Sequence, residues 1–253
     1  MHQYLFFIGN FPIRLYGIFF SLGIISGCIT AYFLLKKDRR GLVIAFAGIV
    51  GGRLWDVFFF DWEYYHNHLL EIPYIWQGGM AIQGGIIFAC IAAYFYLKKH
   101  QIPVLPFADT VTPGIILGQA IGRIANFMNG DAFGHPTGQD FGLLYPDTTL
   151  AYHTYGAQPL WPAEVWECQG DLLIFVLLLW YGCKTRAEGT TFCLYIMFYS
   201  LLRFFLENYR GDYGTLALGL KSAQLTSLAA FAGAFILFLY FHFKHKSKSG
   251  ISE

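Results

Sequence analysis

The sequence predicts an all-α, polytopic membrane protein, and three observations lead there. Only 13% of its 253 residues are charged, while 56% are hydrophobic and 19% aromatic; a soluble domain carries about 25% charged residues. The apolar residues gather in seven stretches of roughly 20, the length a helix needs to cross about 30 Å of hydrocarbon. Lysines and arginines collect in alternate connections between those stretches, which gives the chain a sidedness. The net charge of +1 conceals that asymmetry and points to no nucleic-acid partner.

The expected spans run Pro12–Leu35, Gly41–Phe60, Met80–Leu97, Phe107–Asn129, Ala163–Cys183, Thr190–Glu207 and Gln224–Phe243. No basic region precedes the first, so it reads as a retained span rather than a cleaved leader. The second carries Arg53 and Asp56 in one half, and the third opens on a glycine-rich run. The fourth has Gly114, Gly118 and Gly122 four apart, a spacing that puts small residues on one helix face and lets a neighbour approach closely. The fifth begins with Glu164 and Glu167, the sixth ends on Arg203 and Glu207, and the seventh leads into a tail with Lys244, Lys246 and Lys248. Residues 1–253 read as one membrane domain, with a long connection at about 130–162. Five cysteines lie scattered in apolar surroundings without a CxxC pair, a pattern of inert thiols rather than a disulfide or zinc framework.

Lys36, Lys37, Arg39 and Arg40 fill the first connection, Lys98 and Lys99 the third, Lys184 and Arg186 the fifth. Positive connections stay cytoplasmic, so the N-terminus is expected outside and the C-terminus inside. Depth then follows from about 1.5 Å per helical residue. Arg123 lies about 9 Å below the outer end of its span at Asn129. Arg53 and Asp56, Arg203 and Glu207, Tyr16, Gln83, Glu164 and Glu167 all fall toward the same outer level. Polar residues of six spans therefore converge in the outer leaflet.

The centre of that convergence is GRIANFMNGDAFG, Gly122–Gly134. An arginine inside an apolar span costs several kcal/mol unless it finds a partner or a watery cavity. Arg123, Asn126 and Asn129 recur every three residues and share a stripe near the helix end. Other readings stand beside the functional one. Arg53 with Asp56, and Arg203 with Glu207, are spaced to form ion pairs on their own helices; Arg210 adds a third charge to the latter face. Arg123 could snorkel to the headgroups, which leaves the two asparagines unexplained. The tryptophans Trp55, Trp62, Trp76, Trp161 and Trp166 fit an outer aromatic belt, and His66 and His68 lack a third ligand for a metal. Guanidinium forks in the outer leaflet match phosphate oxygens, and the anion at hand there is a phospholipid headgroup. The 130–162 connection is long enough to cover a site. These residues alone leave an enzyme and a lipid transporter both open.

GRIANFMNGDAFG resembles the signature of the prolipoprotein diacylglyceryl transferase family. Further parts match in order: Tyr16-Gly17, GGRLWDV at Gly51–Val57, GGMAIQGG at Gly78–Gly85, Pro162 through Glu167, and Arg203-x-x-x-Glu207-x-x-Arg210. The resemblance implies a multi-pass protein of the bacterial cytoplasmic (inner) membrane that moves the sn-1,2-diacylglyceryl group of phosphatidylglycerol onto the lipobox cysteine of a preprolipoprotein and releases glycerol-1-phosphate. It implies no cofactor and no metal. By the same resemblance, Arg123, Arg203, Tyr16, Gln83 and Glu207 would carry the catalysis. Arg123 would hold the phosphate and Arg203 stabilise its growing charge. Asn126, Asn129, Asp131, Gly134, Arg53, Glu167 and Arg210 would line the substrate site, with Glu167 and Glu207 fixing the arginines.

Three positions depart from the family. Gln83 and Trp161 stand where the family usually has histidine, and Asp131 where it has glutamate. Glutamine cannot take a thiol proton near neutral pH. A base could instead be Asp56, Asp131 or Tyr16, the proton could leave with the phosphate, or the arginines could lower the thiol's pKa; the last is favoured. The alternative is a non-catalytic or re-purposed relative that binds or transports phospholipid.

Overall fold

The computed structural model describes residues 4–8, 11–35, 40–75, 79–182, 187–211 and 219–249. Lys36, Lys37, Arg39, Trp76, Gly78, Cys183, Lys184 and Arg186, named above, lie outside the described residues. Tyr4–Ile8 (β1) and Phe11–Arg14 (β2) form an antiparallel hairpin. The helices are α1 (Leu15–Leu34), α2 (Arg40–Trp55), α3 (Trp62–Tyr65), α4 (Ile82–Lys99), α5 (Val104–Asn129), α6 (Leu150–Tyr155), α7 (Ala163–Gly182), α8 (Thr190–Leu206) and α9 (Ser222–Ser249). A π-helical turn, Asp56–Phe60, continues α2.

Each expected span overlaps one of the long helices, of which α2, α4, α5 and α9 run past the expected bounds. Among the described residues, four segments are long and apolar enough to cross a membrane: Leu15–Leu34, Leu42–Phe60, Val104–Asn129 and Ser222–Ser247. The first span starts later than expected, because Pro12 belongs to the hairpin, which the apolar pattern did not reveal. Burial is inverted relative to a soluble protein. Phe33, Phe46, Phe95, Leu173, Trp180 and Ile236 are exposed, whereas Arg53, Glu164, Glu167, Asp171, Glu207 and Arg210 are buried. Apolar side chains turned outward suit hydrocarbon, and charges turned inward can satisfy one another.

At the centre, α5 packs against α1, α7 and α8, and α9 closes on α8; α2 and α4 pair with each other and meet the rest chiefly along α1. Glycine makes the α1–α5 contact possible. A Cβ on Gly114 would stand 2.5 Å from the Gly27 carbonyl oxygen, and one on Gly23 would stand 2.9 Å from that of Gly118. The expected small-residue face is thus in use at Gly114 and Gly118, whereas a Cβ at Gly122 meets nothing within 4 Å.

An acid fixes the far end of the bundle. Asp109 of α5 accepts from the backbone N–H of Gly189 (2.6 Å) and Phe192 (2.8 Å), capping the N-terminus of α8. Capping acids satisfy otherwise unpaired N–H groups and favour the helix dipole. Here the cap also sets the register of α8 against α5, and so of Arg203 against Arg123.

The 130–162 connection is itself folded. Phe133, Tyr145, Ala151 and Leu160 form a buried cluster, with Leu143 and Tyr155 against it. Residues 133–137 run between two neighbours. Gly134 bridges Arg210 on one side, and Pro136 bridges Leu160 on the other. Tyr155 donates to the Gly211 carbonyl at 2.9 Å, tying the connection to the end of α8.

Replacing Gly114 by alanine should destabilise the protein by about 1–3 kcal/mol, the usual cost of overpacking, since the obstacle is backbone. Gly122→Ala should leave the thermal midpoint in detergent unchanged. Equal midpoints for the two variants would contradict this account of the α1–α5 contact.

Candidate functional site

The helix α5 ends where the signature begins its loop. Gly130 takes the left-handed conformation (φ 72°, ψ 36°), and the N–H groups of Gly130 and Asp131 both donate to the Asn126 carbonyl. A glycine at this position is the common way to stop a helix. The turn swings Asp131 back over the helix end, where Asn126 Nδ2 donates to Oδ1 (2.6 Å) and Asn129 Nδ2 to Oδ2 (2.8 Å). Arg123 Nη1 in turn donates to Asn126 Oδ1 at 3.4 Å. Four residues of the signature are thereby one hydrogen-bonded chain. Tyr16, at the start of α1, is half-buried and lies within electrostatic reach of both Arg123 and Asp131.

Glu167 of α7 is the hub. Its Oε1 lies 2.8 Å from Arg123 Nη2, and its Oε2 lies 3.2 Å from Arg203 Nη1 and 3.4 Å from Arg210 Nη1. Glu207 pairs with the other arm of Arg203, Nη2 to Oε2 at 2.9 Å. Tyr199 sits in the same group, its hydroxyl donating to Glu167 Oε1 at 3.5 Å. Three guanidinium groups from separate parts of the chain thus converge on one carboxylate whose side chain is 1% exposed. Arg123 and Arg203 keep 20% and 14% of their side chains exposed. Each guanidinium has five donors, so the two retain capacity for a second anion.

The end of α8 is clamped. Lys221 Nζ donates to the carbonyls of Glu207 (2.9 Å) and Arg210 (2.5 Å), and Gln224 donates to the Phe204 carbonyl and to Asn208. A lysine on the last carbonyls of a helix is favoured by its dipole. Gly134 brings the connection onto this end. Its backbone lies so close to Trp161 that a side chain would collide with the Trp161 carbonyl. Tyr145 donates to Glu164, and burial together with that carboxylate pushes the Tyr145 phenol above its usual range.

Two residues singled out from the sequence lie elsewhere. Arg53, 3% exposed, donates to the carbonyls of Ile72 (2.8 Å), Gly79 (2.9 Å) and Glu71 (3.1 Å), and faces Asp56 at 3.8 Å. Its visible work is to hold the connection after α2. Gln83 is exposed on α4, a helix packed against α2 rather than against α5 or α8. Trp161 stands where its main-chain N–H donates to the His135 carbonyl, and its ring meets Phe141, Trp166 and Tyr209 at centroid distances of 5.8, 5.6 and 5.3 Å.

Sequence reasoning passed over three members of the site. Asp171 is buried one turn beyond Glu167, and neither of its oxygens has a hydrogen-bond donor among the described residues. Its signal was the spacing of Glu164, Glu167 and Asp171, which puts three acids on one face of α7. Tyr199 lies four residues before Arg203 on the same face of α8, a spacing that was equally visible. Lys221 lies just before α9, and nothing local in the sequence marks it as a helix clamp. Among the described residues, no three His, Cys, Asp or Glu side chains are placed to hold a metal ion.

Comparison with known proteins follows the same residues. The sequence profile of the prolipoprotein diacylglyceryl transferase family matches residues 3–240. A phosphatidylglycerol–prolipoprotein diacylglyceryl transferase of Clostridium botulinum (strain Langeland) is 36% identical over 237 residues, covering 90% of this chain and 92% of that protein. The protein of the same name from Staphylococcus saprophyticus is 36% identical over 230 residues, 87% of this chain and 82% of its own length. That of Staphylococcus epidermidis is 35% identical over 250 residues, 95% and 89% respectively. With a match that runs through every element carrying Arg123, Glu167 and Arg203, the chain belongs to the prolipoprotein diacylglyceryl transferase family.

Proposed function

We propose that this protein transfers the diacylglyceryl group of phosphatidylglycerol to the lipobox cysteine of preprolipoproteins, in the bacterial cytoplasmic membrane, with seven spans and an outward N-terminus. The observation that carries the reading is the meeting of Arg123 and Arg203 on the two oxygens of Glu167. Preorganised cations cost no rearrangement at the moment charge develops, which is the main way such sites accelerate reactions.

The thiolate sulfur attacks the glyceryl carbon that bears the phosphate. A carbon–sulfur bond forms, the carbon–oxygen bond to phosphate breaks, and the bonding pair leaves on glycerol-1-phosphate. Negative charge grows on the phosphate oxygens, where Arg123 holds the group and Arg203 takes up the new charge. Asn126, Asn129 and Asp131 form the polar wall beside Arg123, and Tyr16 faces them from α1. Glu167 keeps the guanidinium groups together against their mutual repulsion. The folded connection at 130–162 lies over the end of α8 and is read as the lid.

The thiol proton needs a destination. The Gln83 carboxamide and the Trp161 indole have no basic nitrogen, so neither offers a base. Ionisation of the thiol beside the arginines, whose field favours thiolate, accounts for a site that lacks histidine at both positions.

The direct test supplies purified protein with phosphatidylglycerol and a lipobox peptide. A diacylglyceryl mass on the cysteine is expected; its absence, with the lipid still bound, would favour the phospholipid-binding alternative. Arg203→Ala should lower kcat by about 10²- to 10³-fold, the usual loss when a transition-state donor is removed. Glu167→Gln should reduce both activity and thermal stability, because breaking a buried ion pair from one side typically costs about 3–5 kcal/mol. Gln83→Ala should leave transfer within a few-fold of the parent. A near-total loss would show that Gln83 takes part, and a large gain with Gln83→His would show that the parent lacks a base.

A further inference from the structure

The acids of the site differ in what holds them. Glu167 and Glu207 are paired with arginines, Asp131 accepts from two amides and Glu164 accepts from Tyr145. Asp171 of α7 is fully buried, and among the described residues neither of its oxygens has a hydrogen-bond donor. We propose that Asp171 takes the proton given up by the lipobox thiol, reached through the hydroxyl of Tyr199. This rests on the transferase reading above and adds to it the destination of that proton.

Its position suits the task. Asp171 lies one turn, about 6 Å along the axis, below Glu167, and it is the last charged residue of α7 before the buried cluster of Ile116, Ile174 and Leu178. The glyceryl carbons of a phospholipid lie deeper in a bilayer than its phosphate. With the phosphate at Arg123 and Arg203, the attacked carbon and the sulfur behind it therefore fall on the Asp171 side. Within electrostatic reach of Asp171 are Glu167 and Cys168 of α7, Arg123 of α5, and Arg203, Tyr199 and Tyr195 of α8. The donors among these are engaged elsewhere. Tyr195 donates to Gln119 (2.7 Å), Arg203 serves Glu167 and Glu207, and Arg123 serves Glu167 and Asn126. The half-buried Tyr199 has only a 3.5 Å contact to Glu167, at the outer limit of a hydrogen bond, so its hydroxyl is free to turn.

The step balances in atoms and in charge. The thiol proton passes to the Tyr199 oxygen as Tyr199 passes its own hydroxyl proton to Asp171. The sulfur pair so freed forms the bond to carbon, and the carbon–oxygen pair leaves on the phosphate. The phosphate goes from one negative charge to two while Asp171 goes from one to none, so the total charge inside the bundle does not change. Loss of the proton to water would instead leave an added negative charge in an apolar surrounding, which is costly. A buried carboxylate without a donor is itself costly, and gaining the proton removes that cost.

A nucleophile that needs no acceptor tests this. Purified protein receives phosphatidylglycerol and a lipobox peptide with either cysteine or selenocysteine at the same position, and the two rates are compared in one preparation. A selenol is already ionised near neutral pH. Asp171→Asn should lower transfer to cysteine by about 10²- to 10⁴-fold, the usual loss when an acid–base group is removed, and leave transfer to selenocysteine within a few-fold of the parent. A fall in the folded fraction cancels in the ratio of the two rates. Asp171→Leu, which sets an apolar group against the apolar layer, should show the same split and guards against an Asn variant that does not fold. Asp171→Glu restores an acid and should recover most of the cysteine rate. Equal losses with both peptides would reduce Asp171 to a structural role, and unchanged rates would send the proton elsewhere; either result overturns the proposal. If the parent retains the lipid in native mass spectrometry yet modifies neither peptide, the transferase reading itself fails, and the acceptor role with it.

Discussion

One carboxylate holds together three guanidinium groups that would otherwise repel each other in a medium that cannot solvate them. Glu167 receives Arg123 from α5, Arg203 from α8 and Arg210 from the turn that follows α8. Isolated charges inside an apolar bundle are costly, whereas a paired and hydrogen-bonded group can persist there. The rest of the architecture can be understood as what keeps these partners in register. Glycines bring α1 against α5 and present Tyr16 to Arg123 and Asp131. Asp109 anchors α8 at one end, and Lys221 with Gln224 clamps it at the other.

The same arrangement explains why the 130–162 connection is folded rather than loose. Its opening segment pairs with Arg210 through Gly134, so the connection holds a member of the site. The buried cluster around Phe133 and Leu160 gives the connection a core of its own. Any motion of this unit would be felt at Arg210, and through Glu167 at the other two arginines. Arg53 shows the contrasting use of a buried arginine. Three of its contacts are backbone carbonyls in the connection after α2, a structural task carried out within the α2–α4 pair.

Much of this could be read along the chain. The spacing of Arg123, Asn126 and Asn129 marked one stripe, and the structure joins those residues through Asp131. The Gly114 and Gly118 face was visible as a four-residue repeat because helical geometry is local. Asp171 and Tyr199 were equally visible as continuations of the Glu167 and Arg203 faces, and were missed only because neither is cationic or part of a long motif. Arg53 shows the limit of such reasoning. Its local pattern, an arginine in an apolar span, resembles that of Arg123, and only the placement of Glu71, Ile72 and Gly79 around it separates their environments.

The sequence by itself determined the class of protein, the approximate place of each long helix and the residues rich enough in charge to form a site. Those features follow from composition and from periods of a few residues, which the chain carries locally. Only the tertiary structure decided that Glu167 is shared by three arginines, that Lys221 caps α8, that Trp161 belongs to an aromatic group and that Gln83 faces outward on α4. Each of these depends on which helix lies beside which and at what rotation, a choice made by glycine contacts and long-range caps between residues tens of positions apart.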